Sequence, residues 1–368
     1  MNAPLPRWVD LGLIPMLNLL AAFLVAGLVV LLVGESPVEA VQVILYGAFG
    51  FGEGIGFTLF YATNFIFTGL AVAVAFHAKL FNIGGEGQAY VGGLGVALVC
   101  LSLDTAMPWW VIAPLAAAGG AVFGAGWAFL PAYLQATRGS HIVITTIMFN
   151  FLAASLMVYL LVNVLKVPGA MAPESRTFEE AGRLPKIGWF VALFGEDIGG
   201  APANLSFFLA LGACVAVWLL IWRTRLGYEI RTFGANPTAA VYAGISPVRI
   251  TVVTMLISGG LAGLMALNPV MGDQHRLFLD VAGGAGFVGI AVALMGRAHP
   301  LGVALAALLF GVLYQGGAEL AFEMPTITRD MVVVIQGLVV LFAGAMEYMF
   351  RPWVARLFAA LPGRGETA

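Results

Sequence analysis

The sequence predicts an all-α polytopic membrane protein of about ten transmembrane helices, and three observations lead there. Of 368 residues, 61% are hydrophobic and 10% charged, whereas soluble chains carry roughly 25% charge. Apolar, nearly charge-free runs recur along the chain at lengths near the about 20 residues that carry a helix across a bilayer. None of these runs alternates with the two-residue period of a barrel strand, so helices must satisfy the backbone in hydrocarbon.

Taken in order, the runs are Leu11–Val33, Gly54–Phe76, Leu80–Leu103, Trp109–Gln135, Ile142–Leu165, Leu205–Trp222, Ile250–Met271, Val281–Gly296, Leu301–Leu320 and Met331–Phe350. The first lacks a clear small-x-small cleavage site and reads as a retained span rather than a signal peptide. Val281–Gly296 is short and glycine-rich, which fits a tilted crossing or a re-entrant hairpin. The organisation expected is one transmembrane domain over 1–368. Its first half is 11–165, its outer connection 166–204 and its second half 205–350, with an inner loop at 223–249 inside that second half.

A cytoplasmic amino end places Arg7, Lys79, Arg138, Arg223, Arg225, Arg231, Arg249, Arg297, Arg351, Arg356 and Arg364 inside. Four of the six remaining cations, Lys166, Arg176, Arg183 and Lys186, fall in the long outer segment, which counts for less in the positive-inside rule. Both termini are therefore expected in the cytoplasm. A net charge of −2 offers no basic field for nucleic acid, and Cys100 and Cys214 lie inside apolar runs, so no disulfide framework exists.

Two stretches repeat. Thr68-Gly69-Leu70-Ala71 precedes Gly84-Gly85-Glu86-Gly87, and Gly259-Gly260-Leu261-Ala262 precedes Gly283-Gly284-Ala285-Gly286. They fall on segments two and three, then seven and eight, so the unit is five helices. An odd unit inserts its two copies upside down, a five-plus-five inverted repeat of the kind common among transporters. The frequency of glycine, 47 residues, is the competing account. Gly84, Gly85, Gly87, Gly283, Gly284 and Gly286 are expected to break helices at matching places, a pattern that marks a solute route. Gly120-x-x-x-Gly124 and Gly259-x-x-x-Gly263 read as close-packing motifs.

Glu86 is the sharpest polar oddity, because an ionisable group within a span needs a cavity, the interface or a partner. It could snorkel, cap a half-helix, gate the route or touch solute, and Asn82 and Gln88 share its position. Thr146 and Asn150, four residues apart, share a helix face and could line a pore or bond neighbouring helices. Asn64, Asn268, Gln315 and Gln336 read as interhelical bonding groups, with Asn268 also a candidate for the pathway. Phe81, Tyr90, Phe149 and Phe287 could stack on a ring or simply pack. Glu319 and Glu347 read as interfacial. The four scattered histidines, His77 and His141 at membrane edges among them, make no metal site.

In the inner loop, Asn236-Pro237 is a helix start signal. It predicts a short helix from Thr238 to Tyr242, ended by Gly244, with Pro237 in the first turn. A basic hairpin on the membrane surface is the plain alternative to a docking element. No Gly-x-x-x-x-Gly-Lys-Ser/Thr loop occurs, so the chain cannot hydrolyse ATP itself. No catalytic set appears either, and the chain is expected not to be an enzyme. Energy must come from another subunit or an ion gradient.

Leu80–Gln88 (LFNIGGEGQ), Thr145–Asn150 (TTIMFN), Gly234–Ile245 (GANPTAAVYAGI) and Gly283–Pro300 (GGAGFVGIAVALMGRAHP) resemble permease subunits of ATP-binding-cassette importers of the branched-chain amino acid and simple-sugar type, above all the nucleoside permeases. The resemblance implies import of nucleosides, or alternatively of ribose-like sugars, by ATP-driven alternating access. It implies a second permease, identical or paralogous, and a cytoplasmic ATPase that holds ATP and Mg. It also implies an extracytoplasmic solute-binding protein or lipoprotein, and residence in the cell inner membrane. Arg231, Gly234, Asn236, Pro237, Thr238, Ala239, Ala240 and Gly244 resemble the coupling element. An ion-coupled secondary carrier is the further alternative.

Overall fold

A computed structural model describes residues 13–345 together with Pro6, Val9, 352–354 and Arg356. Arg7, Glu347, Arg351 and Arg364, and the end of the last apolar run, lie outside the described residues. The regular structure of the described residues is helical, with one isolated β-bridge between Lys186 and Asn204.

The helices are α1 (Ile14–Leu32), α2 (Pro37–Phe49), α3 (Gly52–His77), α4 (Gly85–Leu103), α5 (Trp109–Arg138), α6 (Ile142–Leu160), α7 (Gly188–Val191), α8 (Ser206–Arg223), α9 (Arg225–Ala235), α10 (Pro237–Tyr242), α11 (Pro247–Leu264), α12 (Ala285–Met295), α13 (Pro300–Glu323) and α14 (Arg329–Ala345). α6 and α11 continue into π-helical turns at Leu161–Leu165 and Leu267–Asp273. Among the described residues seven helices, counting those continuations, are long and apolar enough to cross a membrane: α3, α4, α5, α6, α8, α11 and α13. α12 has 11 residues, or about 16 Å at 1.5 Å per residue, roughly half of a hydrocarbon core. α2, with Pro37 opening it and Glu39 in its first turn, was not expected. Its apolar stretch is too short to stand out as a span.

The chain forms two compact units, Met1–Gly47 with Leu313–Ala368, and Ala48–Val312. In the smaller, α1 packs on α14, and Gln336 Nε2 donates to the Leu313 carbonyl at 3.1 Å. Gly316 lies against the backbone of Ile44.

The larger unit is organised by a helix crossing with no room for side chains. The two predicted small-residue motifs meet there. A Cβ at Gly259 would stand 2.5 Å from that of Ala128 and 2.6 Å from the Gly124 oxygen, and one at Gly124 would stand 2.9 Å from the Gly263 Cα. α5 and α11 thus touch backbone to backbone, as small residues allow in a bilayer, where packing replaces the hydrophobic effect as the driving force. α4 joins through Gly95, set against Gly119 and Phe123 of α5.

Residues 166–204 form no long helix yet are held firmly. Phe178, Ile187 and Ala201 are buried. Ser175, Phe178 and Leu184 donate backbone N–H groups to Leu277, His275 and Met271 at 2.9, 2.7 and 3.0 Å. Asp104, buried at the end of α4, accepts from both terminal nitrogens of Arg176 at 2.7 and 2.8 Å and from the Glu179 N–H at 3.0 Å. That guanidinium bond holds the Asp104 carboxyl below the usual carboxylate range and raises Arg176 in turn. Burial keeps the His275 imidazole below its ordinary value.

Candidate functional site

The Leu80–Gly84 stretch between α3 and α4 is not helical, and its polar groups in an apolar setting must find partners. They do so within a small network. Asn82 Oδ1 accepts from the Gly84 N–H at 2.9 Å and from Gln88 Nε2 at 3.1 Å, while Asn82 Nδ2 lies 2.8 Å from both Gln88 Oε1 and Ser258 Oγ. Ser258 donates in turn to the Ala71 carbonyl at 2.6 Å. From α6, Asn150 Oδ1 accepts the Gly87 N–H and its Nδ2 donates to the Ile83 carbonyl, each at 2.9 Å. Two of the donors that a helix start leaves without intrahelical partners are thereby satisfied. Thr146, on the same face as Asn150, is buried and bonds back to Ile142 at 2.8 Å.

Glu86 reaches out of this network to the other half of the chain. Its two oxygens accept the backbone N–H groups of Gly284 and Gly286, each at 2.8 Å. The carboxylate thus caps the amino end of α12, where helix dipole and free N–H groups both favour negative charge. One turn further along α4, Tyr90 accepts the Asp280 N–H at 2.8 Å, so residues on one face of α4 hold the whole 280–286 turn. The turn needs its glycines. Gly283 and Gly284 have φ of 52° and 81°, and a Cβ at Gly286 would collide with the Glu86 backbone. The six motif glycines therefore lie at or just before the starts of α4 and α12 rather than in mid-helix. The structure brings the two copies into contact with each other.

Asn268 belongs to a second cluster. Its Nδ2 donates to Asn64 Oδ1 and the Phe60 carbonyl, both at 2.8 Å, and its Oδ1 accepts from Asn204 Nδ2 at 2.7 Å and Ser206 Oγ at 3.0 Å. The π-helical turn that carries Asn268 is thereby tied to α3 and to the end of the 166–204 segment. Phe287, on α12, is 49% exposed. Among the described residues no group of His, Cys, Asp or Glu could hold a metal.

The 223–249 loop is built from local signals. Thr224 caps α9 by accepting from Gly227 N at 3.0 Å, Asn236 caps α10 by accepting from Ala239 N at 3.1 Å, and Ser246 caps α11 by accepting from Arg249 N at 3.4 Å. α10 lies where the Asn-Pro signal put it, and Gly244, with φ 78°, follows it. α9 was not expected. Its signal was the Gly227, Ile230 and Gly234 face, masked by Arg225, Glu229 and Arg231 in a charged stretch. Glu229 is buried between Arg225 and Arg249 at 3.2 and 3.7 Å. Ala240 is buried, whereas Tyr242 is 89% exposed. Arg231 has its Nε buried with no hydrogen-bond partner among the described residues. Ser258 and the Asp104–Arg176 pair escaped sequence reasoning, because a single serine or aspartate carries no pattern of its own, while Tyr90, read as a ring that could stack or pack, uses its hydroxyl to hold the Asp280 N–H.

Long apolar helices and a pair of helix starts clasped to each other define the class, a multi-pass helical membrane protein built around a broken pair of helices. The chain belongs to the family described as branched-chain amino acid transport system / permease component, whose model matches residues 54–344. The glucose ABC transporter permease protein TsgB13 of Haloferax volcanii is 34% identical, covering 99% of this chain and 94% of its own length. The guanosine ABC transporter permease protein NupP of Bacillus subtilis is 33% identical, over 92% and 94%. The nucleoside ABC transporter permease protein NupB of Lactococcus lactis is 31% identical, over 90% of both. Each of these two bacteria holds a second match, NupQ at 27% and NupC at 28% identity, over 69% and 73% of this chain and 78% and 83% of their own lengths. The chain is accordingly a permease subunit of an ATP-binding-cassette importer, with ATP hydrolysis in a separate subunit.

Proposed function

We propose that this permease carries nucleosides, crosses the cell inner membrane ten times as two inverted five-helix halves, and has both termini in the cytoplasm. Its domain is the single one outlined from the sequence, with halves at 11–165 and 205–350. The observation that carries the reading is the clasp between Glu86 and the start of α12. There, two half-helix starts from the two copies of the repeat meet in the larger unit, and broken helices at matching places are where carriers hold small polar solutes. Among the described residues, each of the ten apolar runs overlaps a helix. The glycine contact of α5 with α11 has a counterpart in α13 on α3, where a Cβ at Gly69 would stand 2.9 Å from Val303 Cγ1 and one at Gly311 would stand 2.5 Å from the Thr58 oxygen. Both support the inverted repeat.

In this reading Asn82, Gln88, Thr146 and Asn150 hold the broken backbone beside the route, with Asn268 and Phe287 at its borders. Glu86 opens and closes it. The element from Arg231 to Gly244, with Asn236, Pro237, Thr238, Ala239 and Ala240 at its tip, docks on an ATPase that binds ATP and Mg. The paired relatives in two bacteria favour a paralogous second permease, and an extracytoplasmic receptor delivers the solute. The nucleoside assignment leans on NupP and NupB. The glucose permease TsgB13 supports a sugar as the second reading.

Reconstitution of both permeases, the ATPase and the receptor in vesicles tests this. Labelled guanosine or uridine is expected to accumulate with ATP, and excess glucose or ribose to leave that uptake unchanged. Accumulation of sugar alone would replace the solute. Full-rate uptake without the ATPase, or uptake that collapses with an uncoupler while ATP remains, would end the reading as a whole.

A further inference from the structure

His77, the last residue of α3, stands where three elements of the larger unit converge. Its Nε2 lies 3.1 Å from the Ala298 carbonyl, 221 positions away. A carbonyl can only accept, so this nitrogen carries the proton and donates. The ring meets Trp222, near the end of α8, edge-on at 5.1 Å, and Trp222 meets His299 at the same distance. On its backbone side His77 is covered by α9. A Cβ on Gly234 would stand 2.9 Å from the His77 carbonyl carbon and 3.1 Å from that of Ala78, and would overlap the His77 oxygen.

The two turns joined here lead to the two clasped half-helices. Lys79, two residues on, has φ 58° and opens the stretch into α4, while Arg297 and Ala298, with φ of 52° and 53°, close α12. Left-handed non-glycine residues are costly and persist only where their surroundings hold them. If α9 pressed on the α3–α4 turn alone, α4 would shift while α12 stayed, and the Glu86 clasp would shear.

We infer that His77 is a positioning residue. Through it, displacement of α9 and α10 reaches both turns at once, so that α4 and α12 move as a pair. This rests on the proposed docking of an ATPase on α10.

The test uses the full transporter in vesicles, with solute moved per ATP as the readout. In His77→Ala, receptor-stimulated hydrolysis is expected to persist while the ratio falls about tenfold, the scale of one lost hydrogen bond. His77→Gln is expected to restore at least half of the ratio, because its carboxamide N–H can donate to Ala298, a rescue that a purely packing role would not give. Gly234→Ala, which separates α9 from the turn and leaves the histidine intact, is expected to uncouple as His77→Ala does. It decides the matter together with His77→Gln should the alanine variant fail to assemble. An unchanged ratio in His77→Ala or in Gly234→Ala, or a glutamine variant that assembles but couples as poorly as alanine, overturns the relay. If an ATPase cross-links to α10 of the wild-type chain while those results go against the relay, the docking reading stands without it. If the ATPase contacts no part of α10, both fall.

Discussion

The two connections at the ends of α8 are made by opposite means. Residues 166–204 have little regular structure but are held by long-range bonds to 271–277 and by Asp104. Residues 223–249 are mostly helical, are set by caps three residues from their donors, and leave Tyr228, Val241 and Tyr242 exposed. The first is stable because of what it touches, and the second because of how it is spelled. A segment that satisfies itself locally keeps its outward face free for another protein, whereas one that needs the rest of the fold has already committed its surface.

The largest effect should come from Arg176→Ala, which leaves the buried Asp104 carboxylate without its guanidinium. A loss of about 2 kcal/mol is expected, the upper part of the range for hydrogen bonds to charged groups. It would be read from thermal unfolding in detergent together with faster proteolysis within 166–204. No change in either would break the contrast.

Acid should give a similar but graded effect. Asp104 has its folded pKa below the unfolded value of about 3.9. The unfolded state therefore binds the proton first, and the contribution is complete above that value and disappears as pH falls through the lower folded one. Proteolysis with an acid-active protease should open 166–204 below about pH 4 and spare 223–249. Arg176→Ala should weaken this pH dependence, since the guanidinium bond is its largest cause while the Glu179 N–H bond remains.

Asn236→Ala, which deletes the α10 cap, should cost about 1 kcal/mol locally, seen as faster amide exchange in α10. Global unfolding should stay in place while uptake is lost. A matching drop in global stability would show that the loop is tied to the fold as firmly as 166–204. Smallest in stability is Tyr242→Ala, expected within about 0.5 kcal/mol of wild type. It sharpens the comparison if co-purification of an ATPase nevertheless weakens.

The legibility of the chain divides along the same line. The helices, the glycine motifs that become the α5–α11 crossing, and the α10 signal were readable because each rests on periodicity or local chemistry. α9 and α2 were not, since their charged or short stretches hide a buried face. In the candidate site, Glu86 stood out because a carboxylate in an apolar run demands a partner, yet nothing near it in the chain named Gly284 and Gly286, 198 and 200 residues away. Asn82, Gln88 and Asn150 were visible as polar residues, but their mutual bonds were not.

By itself the sequence determined the solvent, the helical class and the Asn236 cap of α10, all of which follow from apolar content, spacing and neighbours within a few residues. Tertiary structure decided which helix starts face each other, which polar groups complete one another, and that Asp104 and Arg176 pair across 72 positions. Those choices are made by shape and by the need to satisfy buried polar groups in three dimensions, and no short-range pattern encodes either.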